Sequence, residues 1–190
     1  MTFDAIIEIP RGSRNKYEMD HETGRIRFDR VLYSPMQYPA DYGFVENTLA
    51  LDGDPIDVLV FLTEPTVPGC VIEVKTIGVL NMSDDKGRDE KLLCVPVADP
   101  TWNKLNDLGD MNEHTLKAVE HFFKVYKDLE NKTCIVEGYG DKAQAEKFCY
   151  FLFFNAKLLG NDFLDAFFDG AHTLFSLLWK NQAAGLRGSV

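Results

Sequence analysis

The chain of 190 residues contains no CxxC pair, no P-loop, no G-x-G-x-x-G turn and no H-E-x-x-H helix. The missing glycine-rich loops exclude the common nucleotide cradles, and the missing histidine pair excludes a zincin site. Cysteine is scarce. Cys70, Cys94, Cys134 and Cys149 each stand among apolar neighbours and read as small core residues, ahead of a disulfide frame or a zinc site. His21, His114, His121 and His172 keep no metal-ligand spacing. No uncharged apolar run reaches the roughly 18 residues that a membrane-spanning helix needs. The opening MTFDAIIEIP has neither a basic start nor a long apolar stretch, so no signal peptide is expected and a cytoplasmic home fits. Positive charge is also short: 20 Lys and Arg face 30 Asp and Glu, a formal charge of −10. That disfavours a nucleic-acid partner, which calls for a basic footprint. It equally disfavours docking on an anionic membrane.

What is present is globular: 45% hydrophobic and 26% charged residues, in a length that suits one domain. Residues 3–9 (FDAIIEI) are rich in isoleucine and predict a strand closed by Pro10 and Gly12. Lys16–Asp20 and Arg25–Leu32 predict a hairpin across HETG. Residues 33–48 carry two prolines, a glycine and three tyrosines without periodicity, and predict an ordered loop or irregular strand. Ile56–Leu62 is a continuous apolar run, hence a buried strand, and Val71–Met82 and Lys91–Val97 are further strands. Leu116, Val119, Phe122, Phe123 and Tyr126 give Asn112–Asp128 helical spacing; a short strand over Thr133–Val136 and a helix opening near Asp141 follow. Strands first and helices later predict an α+β fold, a small closed β-barrel with helices packed outside.

The C-terminal segment has a different character. Eight of the 14 phenylalanines lie between Phe148 and Phe175. Leu164, Phe167, Phe168, Ala171, Phe175 and Leu178 share one helical face, with Asp162, Asp165, Asp169 and Thr173 largely opposite. This predicts an amphipathic helix that packs on the barrel or on another subunit. The chain therefore divides into residues 1–147 and an apolar extension over 148–190.

The chemistry-bearing stretch is LDGDPIDVLV. Asp52, Asp54 and Asp57 place three carboxylates in six residues, before a buried strand. Carboxylates set against an apolar run need cations. The EF-hand pattern fails, because counting from Asp52 its glycine position holds Asp57 and its final glutamate position holds Thr63. The all-oxygen set suits Mg²⁺ or Mn²⁺. Asp84, Asp85, Asp89 and Glu90 form a second acidic cluster between two strands. Lys16, Arg30, Lys91 and Lys127, with Tyr38, Tyr42 and Tyr126, could neutralise and hydrogen-bond a small phosphate compound. Residue types and spacing alone stop at metal-dependent phosphate chemistry.

These residues also carry a family likeness. LDGDPIDVLV resembles the D-G-D-P-x-D signature of family I soluble inorganic pyrophosphatases of the bacterial type. IEIP at 7–10, NKYE at 15–18, FDR at 28–30, YPADYGF at 38–44, GVLNMSDDKGRDEKLLCVP at 78–96 and HFFKVYKDLE at 121–130 match that family in order and at its spacing. The resemblance implies a five-stranded OB-like barrel that hydrolyses pyrophosphate to two phosphates with several Mg²⁺ ions, Mn²⁺ being a substitute. It implies that Asp52, Asp57 and Asp89 hold the tight metal and that Asp57 also contacts a second, with the attacking water bridging the two. Asp84 and Asp89 would hold a metal arriving with substrate, and Glu8 would complete the set. Asp54 would orient and deprotonate the water; Asp89 is the alternative proton acceptor. Lys16, Arg30, Tyr42, Tyr126 and Lys127 would bind phosphate. Lys91, Glu18 and Asp85 would support the cavity, and Tyr38 would line it. A homo-oligomer, a hexamer in many bacterial members, is implied as well. Two features depart from the family pattern. Asp85 stands where glutamate is common, and the Phe-rich segment replaces a polar C-terminal helix.

Overall fold

The computed structural model describes residues 1–50 and 54–149. Nine strands and two helices follow one another in these residues. They are β1 (Thr2–Ile9), β2 (Asn15–Asp20), β3 (Arg25–Val31), β4 (Asp41–Phe44), β5 (Asp57–Val60), β6 (Val71–Asp84), β7 (Gly87–Arg88), β8 (Lys91–Pro96), α1 (Glu113–Val125) and β9 (Ile135–Gly140). A second helix, α2, runs through 142–149. Two 3₁₀ turns, Leu108–Asp110 and Asp128–Glu130, flank α1.

The strands form a mixed sheet in a near-closed ring. β1 pairs β4, β4 pairs β5, β5 pairs β8, β8 pairs β6, and β6 returns to β1. All of these contacts are antiparallel except β5–β8. β9 adds to β6, and β2–β3 form a separate two-stranded sheet. The predicted α+β order and its outside helices are met at this level. Within 33–48, read as an ordered loop or irregular strand, the four residues of β4 form a strand whose ladder with β1 shifts register between Ile7 and Ile9. Gly43 makes it possible: a Cβ there would fall 1.9 Å from the Ile6 carbonyl oxygen, so only glycine lets β4 approach β1 this closely.

Both faces of the ring strands are covered, which is why β5 and β8 read as unbroken apolar runs. Leu59, Leu93 and Val95 join one core with Val119, Phe122, Phe123 and Tyr126 of α1. Val58, Val60, Leu92 and Cys94 join a second core with Ala145 and Cys149 of α2. Each fully buried aliphatic side chain contributes about 1.5–3 kcal/mol, so the alternation holds the strands in register. Asn112 caps α1 by accepting from the N–H groups of His114 and Thr115. Asp141 caps α2 by accepting from the Gln144 N–H at 2.9 Å. Cys94 and Cys149 are buried as expected, whereas Cys70 and Cys134 are half-exposed. Those two sit next to the exposed Val71 and Ile135, where an apolar neighbour in sequence faces solvent. No helix of the described residues is long and apolar enough to cross a membrane. The amphipathic helix expected in the Phe-rich segment falls outside the described residues.

Candidate active site

Seven strands and the C-terminus of α1 deliver polar and charged side chains to one cavity of about 400 Å³. Its wall includes Glu8 of β1, Lys16 and Glu18 of β2, Arg30 of β3, Tyr42 of β4, Asp57 of β5, Asp84 of β6 and Lys91 of β8, with Asp54, Asp89, Tyr126 and Lys127. Register explains the convergence. Asp57 is the first residue of β5 and pairs with Lys91, the first of β8. Lys16 lies opposite Arg30 across the hairpin. Two cations in that relation repel, and Asp29 answers both, pairing with Arg30 and standing 3.5 Å from Lys16.

The cavity is a lattice of ion pairs. The Lys91 ammonium is 2% exposed and pairs with both Asp57 and Asp89. It also lies 5.7 Å from the centre of the Tyr42 ring. Burial opposes its charge, but the two carboxylates outweigh burial and hold its pKa above the ordinary lysine value. Lys127 donates to Asp84 at 2.9 Å. Burial would raise Asp84, yet Lys127 and the Lys86 N–H keep it below the usual carboxylate range. Burial pushes Asp89 up, with Lys91 partly offsetting this. Burial also pushes Lys16 down, Asp29 acting against it. The Tyr42 and Tyr126 hydroxyls are raised by burial, so both are protonated donors at neutral pH.

Glu8 is buried and accepts from the Met19 N–H at 2.5 Å. Burial raises its pKa from 4.5 to about 7, and Asp57 adds to the rise. The folded state therefore holds this proton more tightly than the unfolded chain. Its contribution to stability is complete below about pH 4.5 and is lost as pH rises through about 7. With divalent ions withheld, the thermal midpoint of the wild type should fall across that window relative to Glu8→Gln, which lacks the group. Parallel midpoint-versus-pH curves for the two proteins would remove Glu8 from this role.

Two of the expected residues are off the wall. Tyr38, expected at the wall, is buried behind it, its ring 5.5 Å from Tyr42 and 5.0 Å from Phe122. Asp85 is exposed on the β6–β7 turn and is not at the wall. Asp52 lies outside the described residues. The wall also holds Met19, Asp29, Phe44, Pro55, Lys86 and Lys132, to which the residue pattern assigned no role, and His21, which it set aside for want of ligand spacing. Asp29 was within reach of that reading, since it adjoins Arg30 in FDR. Lys86 sits in the second acidic cluster, 3.8 Å from Asp54.

Among the described residues no three His, Cys, Asp or Glu side chains stand together as a metal site. Lys91 draws Asp57 and Asp89 to itself, and Lys127 draws Asp84. The donor set nevertheless fits a hard divalent cation. Glu8, Asp54, Asp57, Asp84 and Asp89 all face one cavity and offer oxygen alone.

A sequence model described as inorganic pyrophosphatase matches residues 5–150. The chain belongs to this family. It is 54% identical over 160 residues to the inorganic pyrophosphatase of Leifsonia xyli subsp. xyli, covering 84% of this chain and 98% of that one. It is 56% identical over 142 residues to that of Methanosarcina mazei, covering 75% and 84%. Among solved structures, the Helicobacter pylori inorganic pyrophosphatase superposes with a TM-score of 0.80 at 43% identity, over 82% of this chain and 94% of that one. The Thermus thermophilus enzyme gives 0.80 at 42% identity, over 82% and 91%. The chain is thus a hydrolase of the inorganic pyrophosphatase family, whose substrate is pyrophosphate.

Proposed function

We propose that this chain hydrolyses pyrophosphate to two orthophosphates with Mg²⁺, on an OB-like five-stranded barrel, through the cavity just described. The observation that supports this reading is the joint placement on one wall of four candidate metal-binding carboxylates (Glu8, Asp57, Asp84 and Asp89), the candidate base Asp54, and the candidate phosphate ligands Lys16, Arg30 and Lys127. Asp52, Asp57 and Asp89 would hold the tight metal, Asp57 a second, and Asp84 with Asp89 a third; Glu8 completes the set. When bound, Mg²⁺ would activate the attacking, metal-bridged water and neutralise the departing phosphate.

The protein's own groups do the rest. Asp57, Asp84 and Asp89 are each held by a lysine. These lysines would have to release the carboxylates for a divalent ion to be held there, and once released they are cations that can face a polyanionic substrate. Lys16, Arg30 and Lys127 bind the phosphate groups, and Tyr42 and Tyr126 donate to their oxygens. Asp54, 67% exposed, accepts the proton of the water, with Asp89 as the alternative acceptor. Glu18 and Lys91 support the wall. The reading also takes residues 1–147 as the catalytic domain and 148–190 as an extension. It takes the enzyme as cytoplasmic, which the scattered free cysteines favour, and as homo-oligomeric, which the family resemblance implies.

The test is phosphate release from pyrophosphate. Chelation with EDTA should abolish it, and excess Mg²⁺ should restore it. Release that persists in EDTA would overturn the metal-dependent mechanism.

A further inference from the structure

Arg30 stands on β3, whose only ladder partner among the described residues is β2; within those residues no backbone ladder ties that hairpin to the ring. What holds its guanidinium comes from 100 residues away. Arg30 Nε donates to Glu130 Oε1 at 3.1 Å, and Nη2 lies 3.1 Å from Glu130 Oε2. This is a two-pronged pairing of planar groups, the geometry that fixes an arginine in direction as well as place. Glu130 is 7% exposed and does not line the cavity, whereas Arg30 does. The carboxylate thus sits behind the guanidinium.

The other anion on Arg30 differs in kind. Nη1 pairs with Asp29, which is 36% exposed and is shared with Lys16. An incoming phosphate can displace Asp29 from the open side, while Glu130 keeps hold of the far side. The backbone at Glu130 is itself constrained. It ends the 3₁₀ turn Asp128–Glu130, which begins directly after Lys127 and is closed by Asn131 at φ 54. One short turn therefore fixes both Lys127 and the anchor for Arg30.

We propose that Glu130 is a positioning residue for substrate binding: it aims the Arg30 guanidinium into the cavity and ties the β2–β3 hairpin to the turn that follows α1. The inference rests on the reading of Arg30 as a phosphate ligand. Its signature is a rise in KM with little change in kcat, because Glu130 lies off the wall that carries the candidate metal-binding carboxylates and the candidate base.

Steady-state kinetics with Mg²⁺ and pyrophosphate, on the full chain, test this in wild type, Glu130→Gln, Glu130→Asp, Arg30→Gln and the Arg30→Gln/Glu130→Gln double variant. Glu130→Gln should raise KM about tenfold with kcat within about threefold. In the Arg30→Gln background the same change should move KM less than about twofold. Glu130→Asp keeps the charge at the cost of shape, and its KM should lie nearer wild type than that of the isosteric glutamine. A packing role gives the reverse order and overturns the assignment. So does an unchanged KM in Glu130→Gln, or a full effect that persists without Arg30. If Arg30→Gln itself keeps the wild-type KM, the reading of Arg30 as a phosphate ligand fails and the role of Glu130 falls with it.

Discussion

Asp89→Asn should lower phosphate release at saturating Mg²⁺ and pyrophosphate by at least about a hundredfold, the scale of a lost general base or metal-binding carboxylate. The substitution keeps the shape of the side chain and removes its charge. Asp89 is 16% exposed and pairs with Lys91, so little water is at hand to replace it. Burial raises its pKa, which makes it a better proton acceptor than a solvated aspartate. Asp54→Asn should fall by a similar factor for a different reason, because Asp54 faces the open side of the cavity at 67% exposure. Comparing the two at matched metal concentration separates ligand from base. Added Mg²⁺ should recover part of the loss where the carboxylate serves mainly to hold metal, and none where it serves only to take the proton. Near-wild-type turnover in both variants would strip the two aspartates of these roles.

Lys91→Met should destabilise the metal-free protein by about 3–5 kcal/mol, the cost of removing one partner from a buried ionic cluster. The ammonium is 2% exposed and is the shared counter-ion of Asp57 and Asp89. Without it two carboxylates face each other beside the apolar run of β5. The lower end of the range is the better expectation, since Asp57 keeps 27% exposure and can take up water. Mg²⁺ should return part of the loss, because a divalent ion can fill the same electrostatic role. Urea unfolding of wild type and variant, in EDTA and in Mg²⁺, measures both effects. Equal midpoints in EDTA would mean that Lys91 is not the counter-ion that holds this wall together.

Much of this was legible from residue patterns, and the reasons differ by element. β5 and β8 declare themselves because both of their faces are buried, so apolar residues run almost without a break; β1 does so through Ile6, Ile7 and Ile9, although Asp4 and Glu8 interrupt it. β4 hides because its four residues, DYGF, are half aromatic and polar and follow a proline-bearing loop; only the close approach at Gly43 explains them. Helix α1 is three residues shorter at its C-terminal end than the apolar spacing suggests. The chain there tightens into the 3₁₀ turn Asp128–Glu130. The placement of Asp57 with Asp89 needed a parallel register that no local pattern encodes. Tyr38 misled for a related reason: its neighbour on the wall, Tyr42, takes the cavity side and leaves Tyr38 to the core. Glu130 could not be found from spacing at all, since its partner is 100 residues earlier.

The ring has a further consequence for how the molecule comes into being on the ribosome. Strand β1, the first to emerge, hydrogen-bonds to residues 71–75 on one side and to β4 on the other. Ile7 and Ile9 can pair with β4 earlier, but the Thr2–Ile6 stretch must wait for its partner at residues 71–75 until nearly 40% of the chain is translated, on the order of several seconds at ordinary elongation rates. During that interval the nascent strand is an unpaired sticky edge. The closed circle that shields it in the finished enzyme is the one arrangement that translation must reach late.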